Sequence, residues 1–291
     1  MREFLILTAY LLLALCLAAG LLPVLDAALA SVADVRADRL FYRAAMVIAL
    51  LGLWPLLRWR RLQDRASLGY ALSRAQFLAR LWWGWLAGLV VLAGLLGLEW
   101  LAGIRLPRPE IDPSKLLTVV VGGIIGGLLV ALIEETFFRG VMHSALRRRL
   151  SFATTASLSA ALYASLHFVR PPRLAADFEV TWNTGWKLLA AMPRAYAEPL
   201  ALLDSWIALF AVGVFLSLVR ERSGNIALAI GLHAGWIAVI KTGKYVTMLQ
   251  TEAPLAFLVD RYDGIIGWLA AGWIALFAWL YRQGAGTARG S

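Results

Sequence analysis

Cysteine is almost missing from this chain: Cys16 stands alone among 291 residues. That excludes an internal disulfide framework and any zinc site built from thiolates. Histidine is nearly as scarce, so any step that needs an imidazole must draw on His143, His167 or His233. Charge is thin as well. Charged side chains make up 16% of the sequence and hydrophobic ones 61%, against about 25% charged and 45–50% apolar in soluble globular proteins. The composition predicts a polytopic, all-α transmembrane helix bundle with no soluble domain left over.

The formal charge of +10 does not read as a nucleic-acid surface, because the arginines fall in clusters between apolar runs instead of along one soluble face. Runs near the 20 or so apolar residues that a spanning helix needs occur at Phe4–Leu25, Phe41–Leu57, Trp82–Gly103, Leu116 onward, Phe152–Phe168, Leu200–Val219, Ile226–Ile240 and Gly264–Tyr281. Eight spans are expected. The first resembles a signal peptide but shows no small-residue cleavage site, so it reads as retained. Tryptophans near span ends, such as Trp54, Trp82, Trp100 and Trp279, fit interfacial belts. The segment Arg173–Pro199 reads as interfacial or re-entrant, a candidate lid.

Arg58, Arg60, Arg61, Arg65, Arg74 and Arg80 load one loop and Arg147–Arg149 another two spans later. By the positive-inside rule both face the cytoplasm, which places both termini there. The preference for Arg and Ala over Lys suits a bacterial inner membrane. Gly122, Gly123, Gly126 and Gly127 form small-xxx-small pairs, and Ala227, Gly231 and Gly235 form another set, so these two spans should be central and closely packed.

Within the fourth apolar run lie Glu134, Glu135 and Arg139. Charged groups at bilayer depth cost roughly 2.5–3.5 kcal/mol each even on lenient scales, and they turn toward protein or a wet cavity. Glu135 and Arg139 stand four apart and can pair, a structural staple, whereas Glu134 points about 100° away and is left for chemistry. His143, one turn past Arg139, reads as a helix-surface residue, and Glu99 and Asp204 as interfacial ones. His167 lies about as far beyond the turn near Leu150 as Glu134 lies before it, so an acid and an imidazole should come level across a helix pair. His233 sits between Gly231 and Gly235, in a third helix able to line the same cavity within the membrane. Taken alone, each buried histidine is as readily a hydrogen-bonded packing residue.

Glu134-Glu135-x-x-x-Arg139-Gly140, Tyr163-x-x-x-His167 and Gly231-Leu232-His233-Ala234-Gly235-Trp236 together resemble the CPBP intramembrane endopeptidases, which include the type II CAAX prenyl proteases and bacterial Abi proteins. The likeness covers Leu116 to Ile240. It divides the chain into N-terminal helices over 1–115 without a recognised motif, a catalytic core over 116–245, and a C-terminal helix and tail over 246–291. The resemblance implies that Glu134 polarises a water, that His167 holds it and that His233 stabilises the tetrahedral oxyanion, with Glu135 and Arg139 bracing the site. Where the family pattern often has asparagine as a second oxyanion donor, this chain has Ile237. Asn225 is off the stripe, and the indole N–H of Trp236 is the nearest substitute.

The implied activity is a glutamate-type peptidase without a cofactor, acting on a membrane-anchored or lipid-modified protein or peptide, with membrane lipids as the other contact and no nucleic acid. A site about 20 Å from the Arg147–Arg149 side favours a translocated or anchored substrate over a cytosolic prenylated one. Two alternatives stay open. Glu134, His167 and His233 also form a two-His, one-carboxylate set able to hold a divalent metal, and buried carboxylates also occur in immunity factors, scaffolds and proton-coupled transporters.

Overall fold

The computed structural model describes residues 1–30, 35–175, 177–260 and 263–284; residues 31–34 of the expected N-terminal segment and 285–291 of the expected C-terminal one lie outside them. Its helices are α1 (Arg2–Leu29), α2 (Ala37–Arg60), α3 (Arg74–Leu101), α4 (Pro113–Glu135), α5 (His143–Arg147), α6 (Phe152–His167), α7 (Thr184–Ala191), α8 (Leu203–Ser223), α9 (Ala227–Val246) and α10 (Trp268–Gly284). Between α4 and α5 the chain does not break but winds as a π-helix over Thr136–Met142. One antiparallel ribbon pairs β1 (Arg105–Pro107) with β2 (Thr247–Leu249), setting Leu106 opposite Met248. The protein is all-α in class.

Helix ends follow local chemistry. Ser73 accepts from Gln76 N while the Gln76 side chain accepts from Ser73 N, a reciprocal cap that starts α3. Asp112 caps α4 ahead of Pro113. Gly224 closes α8 at φ +69°, a left-handed conformation that costs glycine least.

Five stretches are long and apolar enough to cross a membrane among the described residues: Arg2–Leu29, Ala37–Arg60, Arg74–Leu101, Pro113–Arg147 and Pro199–Ser223. The expected count of eight goes beyond this. With 16 and 17 residues, α6 and α10 fall short of the usual spanning length. His233, Lys241 and Lys244 lower the hydropathy of α9, whose residues are instead mostly buried by neighbouring helices.

By contact the chain forms two compact units, one of residues 1–63 and 165–200, the other of residues 64–164 and 201–291. In the first, α1 and α2 pair, with Tyr10 donating to the Ala49 carbonyl over Gly52. Gly185 lets α7 lie directly on α1, since a Cβ there would strike the Ala19 carbonyl. The Arg173–Pro199 segment is thus helical at its centre, burying Leu188 and Met192 while exposing Trp182 and Trp186.

In the second unit α9 packs against α3 and α4. A Cβ at Gly231 would meet the Leu81 carbonyl, and one at Gly235 would come within 2.6 Å of the Trp85 carbonyl. On the other flank, Gly127 would press within 2.9 Å of the Ala234 carbonyl. Small residues thus do what their spacing predicted, bringing three backbones together without intervening side chains. An apolar cluster including Leu95, Phe215, Leu216, Trp236 and Ile274 joins α3, α8, α9 and α10.

Candidate active site

The close α4–α9 pairing sets the geometry of the polar site. Glu134 and Glu135 end α4, and His233 faces them from α9. His233 Nδ1 lies 2.9 Å from Glu135 Oε1, and Arg139 Nη1 donates to the same oxygen at 3.1 Å. The side chains of Glu135 and Arg139 have no accessible surface. A carboxylate salt-bridged to a guanidinium only accepts, so His233 donates through Nδ1–H and its Nε2 is left to face the site. Glu134 Oε2 stands 3.9 Å from that Nε2, too far for a hydrogen bond. The Glu134 side chain is 30% accessible, yet Oε2 is buried and has no hydrogen-bond partner within the protein.

Arg139 is fixed from several sides. Its Nη2 donates to the Gly213 carbonyl at 3.1 Å, and its guanidinium lies 4.9 Å from the ring centre of Tyr163. Gly213 also lets α8 touch α6, where an added Cβ would come within 2.7 Å of Ala160. Tyr163, one turn on from Ala160, turns its ring edge-to-face toward His233 with centroids 6.2 Å apart. The arginine, the two glutamates and His233 are thereby packed into one array.

The π-helical turn is braced by the loop after α2. Tyr70 and Thr136 share a hydrogen bond of 2.6 Å, the Ser67 carbonyl accepts from Ser144 Oγ and from Arg220 Nη2, and the Leu68 carbonyl packs over Gly140. Arg220 Nε donates to the Arg139 carbonyl at 3.1 Å. A loop whose arginines read only as topology signals is also a wall of the site. Its Ser67, Leu68 and Tyr70 belong to no motif, and no periodicity points to them.

Of the expected residues, Glu134, Glu135, Arg139 and His233 come together. His167 is the last residue of α6, one turn past Tyr163 on the same helix face. Trp236 is buried in the apolar cluster with its ring 6.1 Å from Phe215, and its Nε1 has no hydrogen-bond partner within the protein. Asn225 caps α9, accepting from Ala227 N at 3.1 Å. No three of His, Cys, Asp or Glu gather as a potential metal-binding group among the described residues.

One expectation outside the site needs correction. His143 is not a helix-surface residue: it is buried and lies 2.9 Å from Glu221, whose carboxylate also takes Arg147 at 2.9 Å. Glu99, two residues before the end of α3, is fully buried and lies 3.9 Å from Arg105 of the β1–β2 ribbon.

Helices of this length and hydropathy, burying carboxylates against an imidazole, define an integral membrane protein with a polar site among its helices. Residues 115–239 match the family model described as type II CAAX prenyl endopeptidase Rce1-like, a likeness that spans less than half of the chain. No curated protein and no solved structure matches the chain.

Proposed function

We propose that this protein is a glutamate-type intramembrane endopeptidase that hydrolyses a peptide bond of a membrane-associated protein. The observation that carries the reading is the Glu134–His233 pair: a buried carboxylate oxygen with no partner opposite an imidazole nitrogen whose ring is oriented from behind. Unsatisfied buried acceptors are uncommon and call for an explanation. A water polarised by Glu134 attacks the scissile carbonyl, and the carboxylate takes the water's proton and passes it to the leaving amine. His233 serves the oxyanion through Nε2–H, its ring held at Nδ1 by Glu135. His167 joins as the water-holding residue of the family pattern. Trp236 is the candidate second donor, its buried indole N–H being free of any partner within the protein.

The test is Glu134→Gln in the full chain. Cleavage of a membrane-anchored substrate is expected to fall about 10²–10⁴-fold, with the unfolding midpoint unchanged because the side chain makes no hydrogen bond through Oε2. Undiminished cleavage would sink the reading.

A further inference from the structure

A π-helical turn changes which main-chain groups pair. In an α-helix the amide of His143 would bond to the Arg139 carbonyl, four residues back, but here it goes to the carbonyls of Phe138 and Gly140. The Arg139 carbonyl thus loses its usual donor in the middle of a buried segment, and buried carbonyls are seldom left unpaired. A side chain from another helix supplies the bond. Arg220 Nε donates to this carbonyl at 3.1 Å.

Arg220 belongs to none of the sequence motifs. It lies in the last turn of α8, where the helix dipole favours a cation, and it is buried. No carboxylate pairs with it among the described residues, and its neighbour Glu221 is taken by His143 and Arg147. Its charge faces main chain instead. While Nε holds the Arg139 carbonyl, Nη2 reaches the Ser67 carbonyl at 3.2 Å. The Ser67 loop is shaped to receive it: Gly69, at φ +82°, passes so close that an added Cβ would lie 3.1 Å from Arg220 Nε. The Gly69 carbonyl is in turn pinned to the start of α9 by Ile226 N at 3.2 Å. A buried cation without a carboxylate carries a desolvation cost that two neutral carbonyls offset only in part, so its place here calls for a reason other than stability.

From Arg220 a short chain of bonds runs to the site. The tethered peptide carries Arg139, whose guanidinium donates to Glu135 Oε1 at 3.1 Å, and the same oxygen lies 2.9 Å from His233 Nδ1. We propose that Arg220 is a positioning residue for hydrolysis: its forked guanidinium ties the carbonyl freed by the π-helical turn to the loop after α2, which fixes Arg139 against Glu135 and Glu135 behind His233. The proposal rests on the peptidase reading and adds to it a residue that touches neither the water nor the substrate. Without the tie the turn is free to wind toward α-helical pairing, the Arg139 guanidinium shifts against Glu135, and the His233 ring loses its aim. Such a loss falls on the aligned transition state, so it lowers kcat and leaves KM nearly unchanged.

The experiment uses the full-length protein in lipid micelles, a membrane-anchored peptide substrate, and histidine labelled in its ring nitrogens for NMR. The chain has only three histidines, so the signal missing from His233→Gln assigns the Nδ1–H resonance of His233. Arg220→Met is expected to lower kcat about 10–10²-fold with KM within about twofold, and to shift that resonance in protein that is still folded. Arg222→Met is the control: this neighbouring side chain donates to the Tyr281 and Arg282 carbonyls, away from the turn, and both readouts should stay at wild-type values. Arg220→Lys keeps the cation but not the fork, so it should keep the fold and recover only part of the rate. A folded Arg220→Met with unchanged kcat, a loss confined to KM, a His233 resonance that does not move, or an equal loss in the control overturns the proposal. If Arg220→Met does not fold, Arg220→Lys decides, and a wild-type kcat with a wild-type resonance there overturns it. If wild type cleaves no such peptide, the peptidase reading falls, and the resonance alone judges Arg220.

Discussion

Arg139→Met removes the guanidinium that lies against Glu135 while keeping a side chain of similar length. Both partners of the native pair are without accessible surface, and breaking such a pair from one side costs about 3–5 kcal/mol, a factor of roughly 10²–10⁴ in the folded-to-unfolded ratio. The remaining contacts indicate the lower end. Gly213, which loses the arginine, keeps a hydrogen bond from Ser217 Oγ at 2.8 Å, so its carbonyl is not orphaned. His233 stays 2.9 Å from Glu135 and keeps donating Nδ1–H to it. The loss therefore comes from an uncompensated carboxylate, and Glu135→Gln/Arg139→Met should recover most of it. Equilibrium unfolding of the purified chain in mixed micelles reads all three variants. A single variant within about 1 kcal/mol of wild type, or a double variant no more stable than Arg139→Met, would refute the reasoning.

Other outcomes follow from the same geometry. Gly231→Ala should lower the thermal midpoint, at a cost of about 1–3 kcal/mol, because its Cβ meets the Leu81 carbonyl and α3 must move away; Gly272→Ala, with open space around it, is the matched control. Asp260 is buried in the loop before α10, and that burial raises its carboxyl from the ordinary 3.8 to about 6. The folded state then binds the extra proton, so stability falls as pH rises between those two values, and unfolding midpoints across that range should lose this slope in Asp260→Asn. A reporter fused at the Arg149 loop should read cytoplasmic, and a signal from the opposite side of the membrane would reverse the orientation expected from the arginine clusters.

The site was legible in proportion to how local its signals are. Glu135 and Arg139 pair as four-residue spacing says they should, and Gly127, Gly231 and Gly235 sit at close helix contacts as their spacing indicates. Class, and the family likeness over residues 115–239, followed from composition and three short motifs. What stayed hidden depends on partners distant in sequence. That His233 meets Glu135 requires α4 and α9 to run side by side, and the Gly84–Gly88 pair, which opens α3 to α9, has small-xxx-small spacing that does not name its partner helix. His143 read as surface because no motif claimed it, and its partner Glu221 lies 78 residues away in sequence. The ribbon that encloses Glu99 pairs Arg105–Pro107 with Thr247–Leu249, too short a strand pattern to see in sequence.

The π-helical turn over Thr136–Met142 has a consequence for how this protein tolerates change. Such a turn holds one residue more than an α-helix needs to cover the same rise, and π segments of this kind are found mostly at functional positions. A chain shortened by one residue there would be a more regular helix and a poorer catalyst: each amide would regain its usual partner, while the arginine would stand three places from its carboxylate instead of four. Local order and chemical aim are opposed at this point, so selection for thermal robustness alone would iron out the irregularity on which the alignment of the acidic pair depends.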